Sequence, residues 1–204
     1  TSLMFMVSED LKIGLLTDHV PLKNVSTLIT EKLIMEKARL MNESLIKDFR
    51  LQRPKIAVLG INPHCGDKGV IGTEDDEIVR PALKKLYFDE NILVFGPFAA
   101  DSFFGSQSYR NYDAVLAPYH DQGLIAFKTI AFGNGVNYTA GLSKVRTSPD
   151  HGTAYEIAGK NIADPQSFRQ AIYTALDVFR NREEYAELTK NPLKIRTLEL
   201  EKDK

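Results

Sequence analysis

Apolar and polar positions along this chain fall into short blocks. Four mostly apolar runs, residues 11–20, 54–61, 92–95 and 113–117, are bounded by Pro, Gly, Asn or Asp. Runs of that length and bounding read as buried strands. Between the first two, Val25, Ile29, Leu33, Leu40, Leu45 and Phe49 recur at helical spacing. That stripe predicts one helix over residues 24–50, with Asn24 or Ser26 as its N-cap. Thr73-Glu74-Asp75-Asp76 predicts a second helix start, acidic in its first turn, that runs to Tyr87 with a kink at Pro81. Residues 132–139 lead from a loop into another extended segment, and 145–154 form a polar loop rich in breakers. A short helix is expected over 154–158, and Asp164-Pro165 opens a longer one to about Asn181. Residues 198–204 make a charged tail expected to fray.

Strands that alternate with helices predict an α/β protein, layered α/β/α around a mostly parallel sheet. The first strand begins almost at residue 1, so the sheet is expected to continue into sequence outside these residues. The lack of a starting Met points the same way, to a piece of a longer chain. With 204 residues there is enough chain for a sizeable core. A net charge of −1 gives no reason to expect a nucleic acid or an acidic membrane surface as partner. No apolar run reaches the roughly 20 residues a bilayer needs, and residues 1–7 lack the basic start and cleavage site of a signal peptide. The single cysteine, Cys65, excludes an internal disulfide and fits a reducing compartment, hence a cytoplasmic chain.

Three of the four runs end at a histidine: His19, His64 and His120. Loops at the ends of strands are where open α/β sheets bind ligands. Imidazoles suit Zn, Co, Ni or Fe, and three of them leave coordination positions free. A single His is more often a surface or hydrogen-bonded residue, and the spacing matches no compact zinc signature. The shared strand-end setting is what groups the three. Asp121, beside His120, either orients an imidazole, adds a carboxylate ligand or closes an Asx-type turn. Asp101 reads as a helix start. Lys128, Asn137 and Arg146 fall in later loops, where Lys and Arg suit phosphate or carboxylate and a solvated surface is the default. Cys65 has no acid–base partner in sequence and reads as an inert buried thiol. Gly133-Asn134-Gly135 lacks the third glycine of a dinucleotide loop.

Several motifs nevertheless fall in one order. Thr17-Asp18-His19-Val20-Pro21-Leu22, Asn62-Pro63-His64-Cys65-Gly66-Asp67 and Tyr119-His120-Asp121-Gln122-Gly123 resemble the histidine motifs of the 4-hydroxythreonine-4-phosphate dehydrogenase (PdxA) family. Gly96-Pro97 with Ala100-Asp101, Gly133-Asn134-Gly135-Val136-Asn137, Arg146-Thr147-Ser148 and Asp150-His151-Gly152-Thr153-Ala154 continue the match, which runs to about Leu176. The resemblance implies an isopropylmalate-dehydrogenase-like fold and a homodimer with its active sites at the interface. It implies a divalent metal (Zn, Co or Mg) on His19, His64 and His120, with ligands drawn from both subunits. Lys128, Asn137 and Arg146 would contact a phosphorylated substrate, and His151, Gly152, Thr153, Ala154 and Asp164 would face NAD. Lys128 and Asp121 are the candidates for proton transfer. The implied reaction oxidises 4-phosphooxy-L-threonine, with decarboxylation to 3-amino-2-oxopropyl phosphate, in pyridoxal phosphate (vitamin B6) biosynthesis.

Residues 1–150 would then form a metal- and substrate-binding, dimer-forming region, and 151–204 a helical part on the NAD side. Family members carry a substantial portion before the first histidine motif that this chain does not have. Cys65 stands where members often have Ala. The alternatives are a paralogue acting on phospho-threonate or phospho-erythronate, a zinc hydrolase built on the three histidines, and a chain that binds or dimerises without turnover.

Overall fold

The computed structural model of the protein describes residues 2–131 and 133–193; the charged tail expected at 198–204 lies outside them. In chain order the elements are β1 (Leu3–Val7), β2 (Lys12–Leu15), α1 (Leu22–Leu28), α2 (Glu31–Lys47), β3 (Ile56–Leu59), α3 (Arg80–Phe88) and β4 (Val94–Phe98). Then come α4 (Ala100–Gly105), β5 (Ala114–Ala117), α5 (His120–Ile130), β6 (Val136–Ala140), β7 (Thr147–Pro149) and α6 (Gln166–Thr189). Among the described residues these strands make one sheet in the order β4-β3-β5-β2-β1-β6-β7. β4, β3, β5 and β2 are parallel neighbours, and β1 turns back antiparallel to β2. β6 is antiparallel to β1 and so points with the parallel block, which gives five of seven strands one direction.

Side chains alternate across this sheet as the period-2 geometry of a strand requires. Phe5, Ile56, Val58, Leu116 and Tyr138 face a core closed by α2, α3 and α6 through Met41, Leu45, Leu86 and Val178. Ile13, Leu15, Ala57, Leu59, Val115 and Ala117 face the other way, under Phe103 of α4 and Leu124 and Phe127 of α5. The result is α/β/α.

Local departures from the expected elements have local causes. The helix expected over 24–50 is two helices, because Thr30 is extended (φ −121°, ψ 159°) and its hydroxyl accepts from the Leu33 amide at 3.2 Å, capping α2. Pro81 falls in the first turn of α3, where its missing N–H is not needed, and a π turn at Asp75–Val79 leads in. Helix α5 was not expected at all, since Gly123 reads as a turn residue. A Cβ there would lie 3.0 Å from Ile13 Cγ2 and from Leu15 Cδ2, so the glycine lets the helix sit close on the sheet. The helix expected at 154–158 is a single 3-10 turn, Tyr155–Ile157, and α6 runs on past Asn181 to Thr189.

α6 is fastened by a buried polar cluster. Asp48, 3% exposed, accepts from Ser44 Oγ at 2.7 Å, from Tyr138 Oη and from Arg182 Nε at 2.6 Å. Arg182 Nη2 also donates to Tyr138 Oη at 2.8 Å. Burial, then the hydrogen bond to Asp48, pushes the Tyr138 phenol far above its ordinary value.

Candidate active site

The carboxyl ends of β2 and β5 stay tied after the strands stop. Leu16 N donates to Ala117 O at 2.9 Å, and Thr17 donates to Pro118 O through both N (3.2 Å) and Oγ1 (2.8 Å). Two residues further on each side stand His19 and His120, with ring centroids 5.4 Å apart. Asp121 Oδ1 lies 2.8 Å from His120 Nδ1. A proton held on Nδ1 by that carboxylate leaves the Nε2 lone pair free. Of the roles open to Asp121 in sequence, this contact is the orienting one.

His64 arrives from β3 on a separately pinned loop. Gly60 N donates to Phe98 O at 2.8 Å, and the fully buried Asp75 accepts from Ile61 N (2.8 Å) and Asn62 N (2.9 Å). Asn62 Nδ2 donates to Glu74 Oε2 at 2.7 Å. From His64 to Lys68 the backbone is left-handed, with φ of 52°, 52°, 81°, 43° and 54°. Gly66 is required in that turn, since a Cβ would meet Gly72 O at 2.3 Å. With Asn62, Asp101, Tyr119 and Gln122, His64 lines a cavity of 360 Å³. Gln122 Nε2 donates to Gly60 O at 2.9 Å. Burial first, and then the nearby Asp75 charge, pushes the Cys65 thiol up, as an inert cysteine requires.

Among the described residues no three His, Cys, Asp or Glu come together as a metal site. His19 and His120 form a pair that His64 does not join. The pair still fits a divalent cation as part of a coordination sphere, with two neighbouring imidazoles and the Asp121 carboxylate on one of them. Asp18 Oδ1, Gln122 Oε1 and Asn137 Oδ1 are buried polar atoms without a partner, and all three lie in the motifs read from sequence.

Lys128 and the residues after β7 lie at the opposite edge, whereas Arg146 stands beside Thr139, level with Met4 and the carboxyl end of β2, and Asn137 lies mid-strand. Val7 pairs with Lys12 at the amino end of β2 and with Val136 at the start of β6, and Val136 pairs with Pro149. α5 runs towards that edge, and Lys128 comes eight residues after His120, about 12 Å along the helix axis. Lys128 Nζ is 3.2 Å from Asp150 Oδ1 and donates to Asp150 O at 3.3 Å. With Gly133, Gly135, His151 and Ser167 they line a cavity of 270 Å³. Arg146 Nη1 donates to Thr139 Oγ1 at 2.8 Å, and Asn137 sits between Met6 and Ser148 in the sheet. His151 Nδ1 lies 2.8 Å from Gly152 O, and Gly152 and Thr153 are exposed. Ala154 is left-handed (φ 50°), and Asp164 Oδ1 accepts from Gln166 N at the start of α6. One chain does not bring His120 and Lys128 to a common point. Asp75, Gln122 and Asp150 contact a candidate residue or its loop and were not named as site residues in sequence, although Gln122 and Asp150 stand inside the quoted motifs, because an acid or amide there looks like any turn residue.

The family model for the pyridoxal phosphate biosynthetic protein PdxA matches residues 1–175. The chain belongs to this family. A 4-hydroxythreonine-4-phosphate dehydrogenase of Bacteroides thetaiotaomicron is 51% identical over 193 residues, 95% of this chain and 53% of that protein. One from Prosthecochloris aestuarii is 49% identical over 172 residues, 84% of this chain and 50% of the relative. The crystal structure of the Klebsiella pneumoniae 4-hydroxythreonine-4-phosphate dehydrogenase matches with a TM-score of 0.75 and 35% identity, over 87% of this chain and 54% of that one. A terephthalate 1,2-cis-dihydrodiol dehydrogenase from Burkholderia xenovorans follows at 0.69 and 28%, over 85% and 55%. The chain therefore spans about half the length of these PdxA relatives.

Proposed function

We propose that this PdxA-family chain is the metal- and substrate-binding half of an NAD-dependent dehydrogenase that oxidises 4-phosphooxy-L-threonine, with loss of CO₂ to give 3-amino-2-oxopropyl phosphate. The observation that carries the proposal is the His19–His120 pair at the carboxyl edge of the parallel strands, with Asp121 on His120 Nδ1. His19 and His120 would hold a Zn, Co or Mg ion through imidazole nitrogen, and His64 would complete the set across a homodimer. Such an ion, when bound, lowers the pKa of the substrate hydroxyl and polarises the new carbonyl.

The chain's own groups supply the rest. The Lys128 ammonium, steadied by Asp150, offsets substrate negative charge, and Arg146 offers a fork to phosphate or carboxylate. Asn137 presents an unpartnered acceptor, Oδ1. Lys128 and Asp121 are the proposed proton-transfer groups, and His151, Gly152, Thr153, Ala154 and Asp164 would hold NAD⁺, which would supply a hydride acceptor. A second copy of the chain would reconcile the roughly 12 Å between His120 and Lys128 along α5, because one copy would then supply the histidine pair and the other Lys128.

The test is NADH absorbance with the full-length protein. NADH should appear only when NAD⁺, a divalent ion and 4-phosphooxy-L-threonine are all present, and vanish on chelation. NADH formed from phospho-threonate or phospho-erythronate alone would replace the substrate assignment with a paralogue's. Hydrolysis without nicotinamide would replace the reaction class.

A further inference from the structure

Gln122 has the structure of a strut. It occupies the third position of α5, where a Gln ordinarily reaches back to cap its own helix through the N-cap amide. Here the N-cap residue is Tyr119, and no side chain caps the helix. The Gln122 amide instead spans 62 residues of sequence, Nε2 donating to Gly60 O at 2.9 Å. Turned the other way, the amide would set Oε1 against the Gly60 carbonyl, two acceptors facing each other, so the donor must point at β3.

What this contact holds is a segment with no slack. Gly60 is followed by Ile61 and Asn62, whose amides both donate to Asp75. A Cβ on Gly60 would already lie 2.9 Å from Cys65 Sγ and 3.1 Å from Asp75 Oδ1. A shift of Gly60 is therefore passed to Cys65, the immediate neighbour of His64. On the other side, Gln122 lies two residues after His120 in the same helical turn. Asp75 pins the loop from its own side, whereas Gln122 reaches it from the helix that begins at His120.

We propose that Gln122 is a positioning residue, holding the His64 loop against the first turn of α5 and so setting how tightly a divalent cation binds. This inference rests on the metal reading given above. Two variants of the full-length protein separate it from a general structural role. Gln122→Met keeps volume and loses the donor. Gln122→Glu also loses the donor, but it supplies the residue a capping box prefers and adds negative charge, which by itself would strengthen cation binding.

Binding of Co²⁺ alone, followed by calorimetry and by the Co²⁺ absorption spectrum, is the readout, alongside thermal melting. Both variants should lose 10–100-fold in Co²⁺ affinity, the size of effect seen when a group that orients a ligand is removed. Gln122→Glu should do so while melting no lower than the wild type. Wild-type Co²⁺ affinity in folded Gln122→Met overturns the inference alone, as does a loss that appears only where the variants are unfolded. Absence of Co²⁺ binding in the wild type overturns the metal reading and this inference with it.

Discussion

Asp75 and Asp76 are chemically identical neighbours with opposite fates. Asp75 is fully buried and accepts two backbone amides at the root of the His64 loop, whereas Asp76 makes an exposed pair with Arg80 at 2.6 Å. Asp75→Asn should therefore cost about 1.5–3 kcal/mol in a urea titration, the loss of a hydrogen bond to a charged acceptor. Asp76→Asn should stay within about 1 kcal/mol, as an exposed pair does. Equal costs would mean that the loop is not hung on Asp75. Local sequence could not separate the two, because burial is decided by which strand end the turn meets. The strand-end histidines were legible for the opposite reason: an apolar run followed by His needs no tertiary knowledge. Which of them meet was not legible, since the His19–His120 contact depends on β2 and β5 being neighbours. β3 is also a neighbour of β5, yet His64 leaves its strand through a left-handed turn and does not join them.

At the scale of elements, the apolar pattern found β2 to β6 and the α/β alternation, but it missed β1, placed β7 in a loop and did not fix every helix boundary. The apolar stripe from Val25 to Phe49 runs through α1 and α2 alike, so the break shows only in the cap at Thr30. Removing that cap with Thr30→Ala should lower stability by about 1 kcal/mol. Hydrogen exchange at the first turn of α2 should quicken in step, and an unchanged midpoint would show the break to be imposed by packing instead. α5 was hidden because a glycine that permits close approach looks the same in sequence as one that makes a turn. β2 was legible as a strand and β1 only as apolar chain near the start, and their antiparallel pairing was hidden because it turns on the short connection at Ser8–Leu11.

For the whole molecule, the Asp48–Tyr138–Arg182 cluster links α2, β6 and α6. The Tyr138 phenol is held above its unfolded value near 10. Its protonated form therefore favours the folded state, with the full contribution present below pH 10 or so. Above that the unfolded chain gives up the proton first, binds fewer protons than the native state, and stability falls with pH. Urea midpoints of the wild type should drop between about pH 10 and 11. Tyr138→Phe should be less stable at pH 8 and show a shallower alkaline decline; parallel curves would remove Tyr138 from the account. Asp48 and Arg182 are 134 residues apart in sequence. A chain made from its amino end buries Asp48 against Ser44 and later Tyr138 long before Arg182 leaves the ribosome, at rates of order 5–20 residues per second. Asp48 and Tyr138 can thus meet before the Arg182 guanidinium is present, and docking of α6 follows the pairing of β6 rather than leading it.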